Sequence, residues 1–311
     1  MNLYWAIDRV LNDPGILARR AQRLVTAWLG SRPSSSPYIS GDSFRAFSRH
    51  IWDETGEFNP HIVEAGDIIF CKSDLLENFC AIALPHIVEP IVLILGNSDR
   101  NFTEAPKALA TSKARTSVFA QNLVRPIPGF SPLPIGLENL RWRDVGRPRD
   151  FDKTRRRIEP RVFRVMWTFN LSTNRPVRKK ARDTLREVAV ADELGAVSPS
   201  SHRRALAKYG FVASPPGNGW DTHRTWEALY LGCIPIVFDS EFSRNLAQKG
   251  LPLWVVKSFS ELVDMNEGDL RDKYLDLNRG FYSDHLWLDS WKDAILMQSD
   301  TFRSLKGGNS P

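Results

Sequence analysis

The chain has 311 residues, 42% of them apolar, and a formal net charge of +6, which suits two domains of about 150 residues, each with its own core. Three cysteines, Cys71, Cys80 and Cys233, are odd in number and widely spaced, which excludes a disulfide framework and a CxxC zinc site. The longest apolar stretch, 82–95, is broken by Pro85, His86, Glu89 and Pro90, so a bilayer-spanning helix is excluded as well.

Asp8, Arg9, Asp13 and Pro14 interrupt any apolar run at the start, so no secretory signal is expected and a cytoplasmic address is. Ile16, Leu17, Leu24, Val25 and Trp28 form a helical stripe over 15–30, read as a docking face, and SRPSSSP at 31–37 reads as a turn. Strands are predicted at 68–72 and 91–95. The second runs into Gly96-Asn97-Ser98-Asp99, a polar cluster at the end of a buried strand, where open α/β sheets place their ligands. Residues 119–124 lead into a proline-rich segment, 126–142, with an edge strand expected at 133–137. Segment 143–161 is charged and poor in apolar residues, and a linker is placed there.

The second half opens on a predicted strand at 162–169, a small-polar loop holding Thr173 and Asn174, and a helix from Pro176 to about 191 that carries Arg178 near its start. Residues 211–237, FVASPPGNGWDTHRTWEALYLGCIPIV, then hold a strand, a loop, a helix and a strand. Pro215 and Pro216 close the first strand, and Gly217, Asn218 and Gly219 give a loop that can approach a bound group closely. Asp221 or Thr222 is the N-cap expected for a helix ending at Gly232. Free N–H groups at that helix start, with His223 and Arg224 beside them, make an anion site, and Glu227 one turn on is an acceptor suited to sugar hydroxyls. A strand at 253–256, helices at 259–275 and 281–297, and a frayed tail at 305–311 complete the reading.

Two clusters of basic residues stand out, 153–157 (KTRRR) and 178–182 (RKKAR). No nucleic-acid recognition motif accompanies them, so nucleic acid is not expected as a partner, and contact with an anionic membrane face accounts for the charge better.

The run GNGWDTHRTWEALYLGCIPIV resembles the donor-site segment of exostosin-like glycosyltransferases, with an Arg, a Glu-Ala pair and a Gly-Cys-Ile-Pro-Ile strand; it is more distantly similar to α1,3-fucosyltransferases, from which Ala228 departs where those carry Lys. The resemblance implies an α/β chain of GT-B type, two Rossmann-like domains facing across a cleft. These would be an acceptor domain over 1–150, a nucleotide-sugar domain over 151–285 and a returning C-terminal helix over 286–311. It implies a nucleotide-sugar donor, UDP-linked, an acceptor that is a glycan or lipid-linked glycan, and a role in surface polysaccharide synthesis at the inner membrane face. Donor contacts would come from Arg224 (diphosphate) and Glu227 (ribose), with Ser214, Pro216, Gly217, Asn218, Gly219, Asp221, His223, Thr173, Asn174 and Arg178 around them. An inverting transferase also needs a base in the first half. Asp99 has the best context, followed by Asp42, with Glu54, Glu57, Glu64, Asp67 and His50 as further candidates. No Asp-x-Asp pair stands at a strand end, so no metal or other cofactor is expected and fixed cations would neutralise the leaving diphosphate. Transfer of a polyol phosphate on the same scaffold, or nucleotide-sugar binding without turnover, are the alternatives.

Overall fold

The computed structural model describes residues 32–56, 58–141, 145–157 and 160–307. The helical stripe expected at 15–30 and the end of the tail, 308–311, lie outside them, as does Glu57. Among the described residues the chain is α/β, with two five-stranded parallel sheets.

The first sheet runs β1 (His50–Trp52), β2 (Ile68–Lys72), β3 (Ile91–Gly96), β4 (Thr116–Gln121) and β5 (Phe130–Leu133) in that order. Parallel strands covered on both faces read as unbroken apolar runs, and β3, IVLILG, is buried at every residue. Ile69, Leu93 and Leu95 pack with Trp52, Leu76 and Phe79 on one face. Phe70, Val92 and Ile94 pack with Phe44, Ile295 and Phe302 on the other. Ile295 and Phe302 belong to the last helix, Leu288–Gly307, whose Ser299 hydroxyl donates to the Gly66 carbonyl (2.5 Å).

The second sheet contains β6 (Val162–Trp167), β7 (Ala191–Glu193), β8 (Tyr209–Ala213), β9 (Ile234–Phe238) and β10 (Trp254–Val256), ordered 10-9-8-6-7. The chain leaves β6 for β7 on one side and returns to add β8 on the other. The crevice between the ends of β6 and β8 is therefore a topological switch point, where doubly wound sheets bind ligands.

Several expectations need correction. The segment placed as a linker holds a helix, Pro148–Arg155, started by Pro148 and anchored by the buried Phe151; one apolar side chain in eight residues leaves no periodicity to read. The helix expected to reach about 191 ends at Leu185, and Ala191–Glu193 is a strand, in keeping with the β-branched Val188 and Val190 before it. The helix expected over 259–275 is divided into Phe259–Leu262 and Glu267–Leu277, because the Asn266 side chain accepts from the Gly268 and Asp269 N–H groups and restarts it. The last helix starts at Leu288 and reaches Gly307, so the tail is helical further than expected. The edge strand lies at Phe130–Leu133, and Leu137 instead bridges to Ser40. The three cysteines are free, and burial pushes the Cys233 thiol up to about 12. Among the described residues no helix is long and apolar enough to cross a membrane.

An aromatic cluster joins the two halves. Tyr38 packs on Tyr230 (4.7 Å between centroids) and Trp287 (5.4 Å), and the Ile39 N–H donates to the Tyr230 hydroxyl (3.1 Å).

Candidate functional site

The C-terminal ends of both sheets meet, and the loop after β8 crosses between them. The Trp220 N–H donates to Asn101 Oδ1 (3.0 Å), the Asp221 N–H to Asn122 Oδ1 (2.9 Å), and Asn218 Nδ2 to Asp99 Oδ2 (3.0 Å). The Asp221 carboxylate is buried and accepts from the Ile135 N–H (2.9 Å), Trp226 Nε1 (2.9 Å) and the Thr222 N–H (2.8 Å). Burial pushes its pKa up to about 6 against those donors.

This corrects the expected role of the loop. Residues read as a phosphate cradle instead bind protein: the Gly217 N–H donates to the Gly219 carbonyl, Pro216 is buried, and the Ser214 hydroxyl is shared with Thr222 and Thr225 (2.9 Å each). Gly219 lies against the Asn122 side chain. Arg178, expected on a diphosphate, is buried; its Nε donates to the Pro216 carbonyl (3.0 Å) and its Nη1 to that of Asn170 (2.9 Å). Asn174 Nδ2 donates to the Gly217 carbonyl (3.0 Å), and the Thr173 hydroxyl to that of Asn170 (3.1 Å). These side chains shape the loop rather than face an open site, because the loop is a strap between halves and its polar groups need partners there.

The helix His223–Tyr230 begins where the strap ends, and its first turn lies between two cavities. On the second sheet a cavity of about 610 Å³ opens beyond the ends of β6 and β7, walled by Trp167, Phe169, Glu193, His202, Arg224 and Glu227. Arg224 and Glu227, one helical turn apart, share that wall as the sequence suggested. Arg224 lies over the Phe169 ring (5.9 Å to its centroid), and its buried Nε has no hydrogen-bond partner. Burial, with the nearby Arg178 guanidinium adding to it, pushes Arg224 down to about 10 against the pull of Glu227. The N-cap Thr222 makes no side-chain cap bond, so the positive end of the helix is uncapped beside this cation. Glu227 Oε2 is 3.5 Å from His202 Nε2. A guanidinium without a full set of acceptors, beside the Glu227 carboxylate and two aromatic rings, suits a ligand with an anionic centre, hydroxyls and a flat ring.

A second cavity, of about 260 Å³, lies at the ends of β2, β3 and β4, lined by polar side chains that include Lys72, Asp74, Asn97, Asp99, Glu138 and His223. His223 therefore belongs to this cavity and not to the first. Its Nδ1–H donates to the Gly136 carbonyl (2.8 Å), and its Nε2 stands 3.4 Å from Glu138 Oε2. Burial alone would lower its pKa, but Glu138, the Gly136 carbonyl, Glu227 and Asp221 outweigh it and hold the imidazole above its usual value. Asp99 is exposed on this cavity. Asp42 is fully buried behind it: its Oδ1 accepts from Asn97 Nδ2 (2.8 Å), and Asn139 Nδ2 in turn donates to Asn97 Oδ1 (2.9 Å). A base must reach the proton that it takes, so the geometry withdraws Asp42 from that role and leaves it holding the amides that line the wall. Burial raises its pKa, against the Asn97 bond and the charges of Arg141, Arg32 and Arg45.

Among the other candidate bases, Asp67 is buried and holds His50 Nε2 (2.8 Å), and Glu54 pairs with Arg32 (2.5 Å). The sequence reading missed Trp167, Phe169, His202, Glu138 and Asn139. All but His202 follow or end a strand, so the positional rule that singled out Gly96–Asp99 could have found them.

Gly136 has φ +69, and a Cβ there would overlap the Ile39 carbonyl. Replacing it by Ala is expected to cost at least about 2 kcal/mol, visible as an earlier denaturant midpoint, and to loosen His223 by shifting its acceptor carbonyl.

No model of a known protein family matches the chain, and no curated protein gives a significant match.

Proposed function

We propose that the chain is a glycosyltransferase of GT-B type, moving a sugar from a nucleoside-diphosphate sugar, UDP-linked in preference, to a hydroxyl of a glycan or lipid-linked glycan during surface polysaccharide synthesis at the inner membrane face. One observation carries this reading: Arg224 and Glu227 converge on a large cavity at the C-terminal ends of β6 and β7, beside an uncapped helix start. The diphosphate would lie against Arg224 and the helix N-terminus, where a charge-assisted bond contributes about 1.5–3 kcal/mol and the helix end up to about 2. Glu227 would accept from two ribose hydroxyls, with His202 holding the carboxylate in place, and the base would stack against Trp167 or Phe169.

The acceptor would enter from the smaller cavity, whose amide and charged lining suits hydroxyl groups. Asp99, exposed on that lining, would take the proton as the hydroxyl attacks the anomeric carbon, and the sugar–phosphate bond would break in the same displacement with inversion. Arg224 and the helix dipole meet the charge of the leaving diphosphate, so a chelator is expected to leave the rate within about twofold of its untreated value; a loss restored by added divalent ion would reject this part.

The test is a panel of UDP-, GDP- and CMP-sugars, scored for binding and for transfer or hydrolysis. Glu227→Ala is expected to weaken nucleotide binding by roughly ten- to a hundredfold, through loss of a bidentate acceptor. If nucleotide affinity is the same in Glu227→Ala and Arg224→Ala as in the unaltered protein, the site is wrongly assigned.

A further inference from the structure

A third cavity, of about 480 Å³, shares no lining residue with the other two. It opens between the helix Pro148–Arg155, the C-terminal end of the helix His223–Tyr230 and the turns Asn278–Tyr282 and Asp284–Leu286. It is lined by Arg155, Arg157 and Arg161 and by the apolar side chains of Phe281, Leu286 and Trp287. Arg161 is fixed by donating to the Tyr209 and Leu231 carbonyls (2.7 Å each), and among the described residues no carboxylate pairs with it. Arg155 lies over the Trp287 ring at 5.6 Å.

The two basic runs differ in their partners. In the second, Arg178 is held by carbonyls, and Lys179 (2.7 Å) and Arg182 (2.9 Å) both pair with Asp183. In the first, the two carboxylates of the same helix are engaged elsewhere: Asp150 pairs with Arg203 (3.1 Å), and Asp152 accepts from the Tyr38 hydroxyl (2.7 Å). Among the described residues Lys153, Arg155, Arg156 and Arg157 have no carboxylate within 4.0 Å, and all four are exposed. Tyr282, next to the cavity, is 90% exposed, an amphipathic ring of the kind found at membrane–water interfaces.

We propose that this cavity is an anion site for a phosphate ester: the arginines hold the phosphate, and the aromatic wall takes the apolar part attached to it. An anionic phospholipid and a small soluble phosphate share that chemistry, and they can be separated. The full chain is sedimented with phosphatidylcholine vesicles with and without phosphatidylglycerol, and its tryptophan fluorescence is titrated with glycerol phosphate. Removing Arg155 and Arg157 together (R155A/R157A) is expected to weaken binding to the anionic vesicles about thirtyfold, at roughly fivefold per cation; K179A/R182A, whose cations are already paired, serves as the control and changes little. Glycerol phosphate binding that is lost in R155A/R157A, with vesicle binding unaffected, identifies a soluble ligand instead. If R155A/R157A binds neither probe more weakly than the unaltered chain, the proposal is overturned. Should the alanine pair melt early, R155Q/R157Q keeps the stems packed and gives the same comparison.

Discussion

Replacing Arg224 by alanine is expected to weaken nucleoside-diphosphate binding by roughly a hundredfold, the equivalent of about 3 kcal/mol for a charge-assisted contact, while the melting temperature of the free protein stays the same or rises. The two effects have opposite signs for one reason. Arg224 is a half-buried cation whose buried Nε lacks an acceptor, with burial and Arg178 both working against its charge. That arrangement costs stability and favours an anion that restores the missing partner, as sites built for ligands commonly do. Calorimetric titration with UDP and a thermal melt without ligand check the two halves separately. A residue that merely supported the fold would lower the melt along with the affinity, and that outcome would sink the assignment. Arg224→Lys is expected to recover only part of the binding, since an ammonium lacks the planar fork that grips two phosphate oxygens.

Asp221→Ala is expected to give the largest loss of stability, about 3 kcal/mol, or roughly 6 to 12 °C in melting temperature. The substitution strands the buried Ile135 N–H, the Trp226 indole N–H and the Thr222 N–H together, and the first of these comes from the other half of the chain. Partial relief comes from no longer burying a carboxylate, which is why the loss is smaller than three separate unsatisfied donors would suggest. Asp221→Asn separates charge from hydrogen bonding. Burial raises the folded-state pKa of Asp221 to about 6 from an ordinary 3.8, so between those values the folded protein binds the extra proton. Its contribution is therefore fully present below about pH 4 and is lost as pH rises through 6. The stability of the unaltered protein minus that of Asp221→Asn should grow as pH falls from 6 to 4. A difference independent of pH would mean that the carboxylate is not the titrating group.

Much of the framework around the cavities follows from the sequence by itself. The unbroken apolar runs at 68–72, 91–95 and 234–238 gave parallel strands in their observed places, because strands buried on both faces have no polar side to disguise them. Gly232, at φ +72, ends its helix as a residue without a Cβ allows. Arg224 and Glu227 could be placed on one wall from spacing alone, since residues three apart on a helix share a face. Short strands such as β1 and β7, and a helix with a single buried side chain, were beyond that reach; three to eight residues carry too little pattern, and their conformation is set by neighbours distant in the chain. Tertiary structure alone decided which polar residues near the glycine loop line a cavity and which face protein. Asp221 and Asn218 have the same chemistry in either role, and what separates them from Arg224 is the first sheet lying across the strap, supplying Ile135 and Asp99 as partners, while Arg178 is taken up by the carbonyls of Pro216 and Asn170. The fate of Asp42 was settled in the same way, by Asn97 and Asn139 closing over it. Hydrogen-bonding capacity is local to the sequence, but whether it is satisfied depends on what the fold brings within 3 Å.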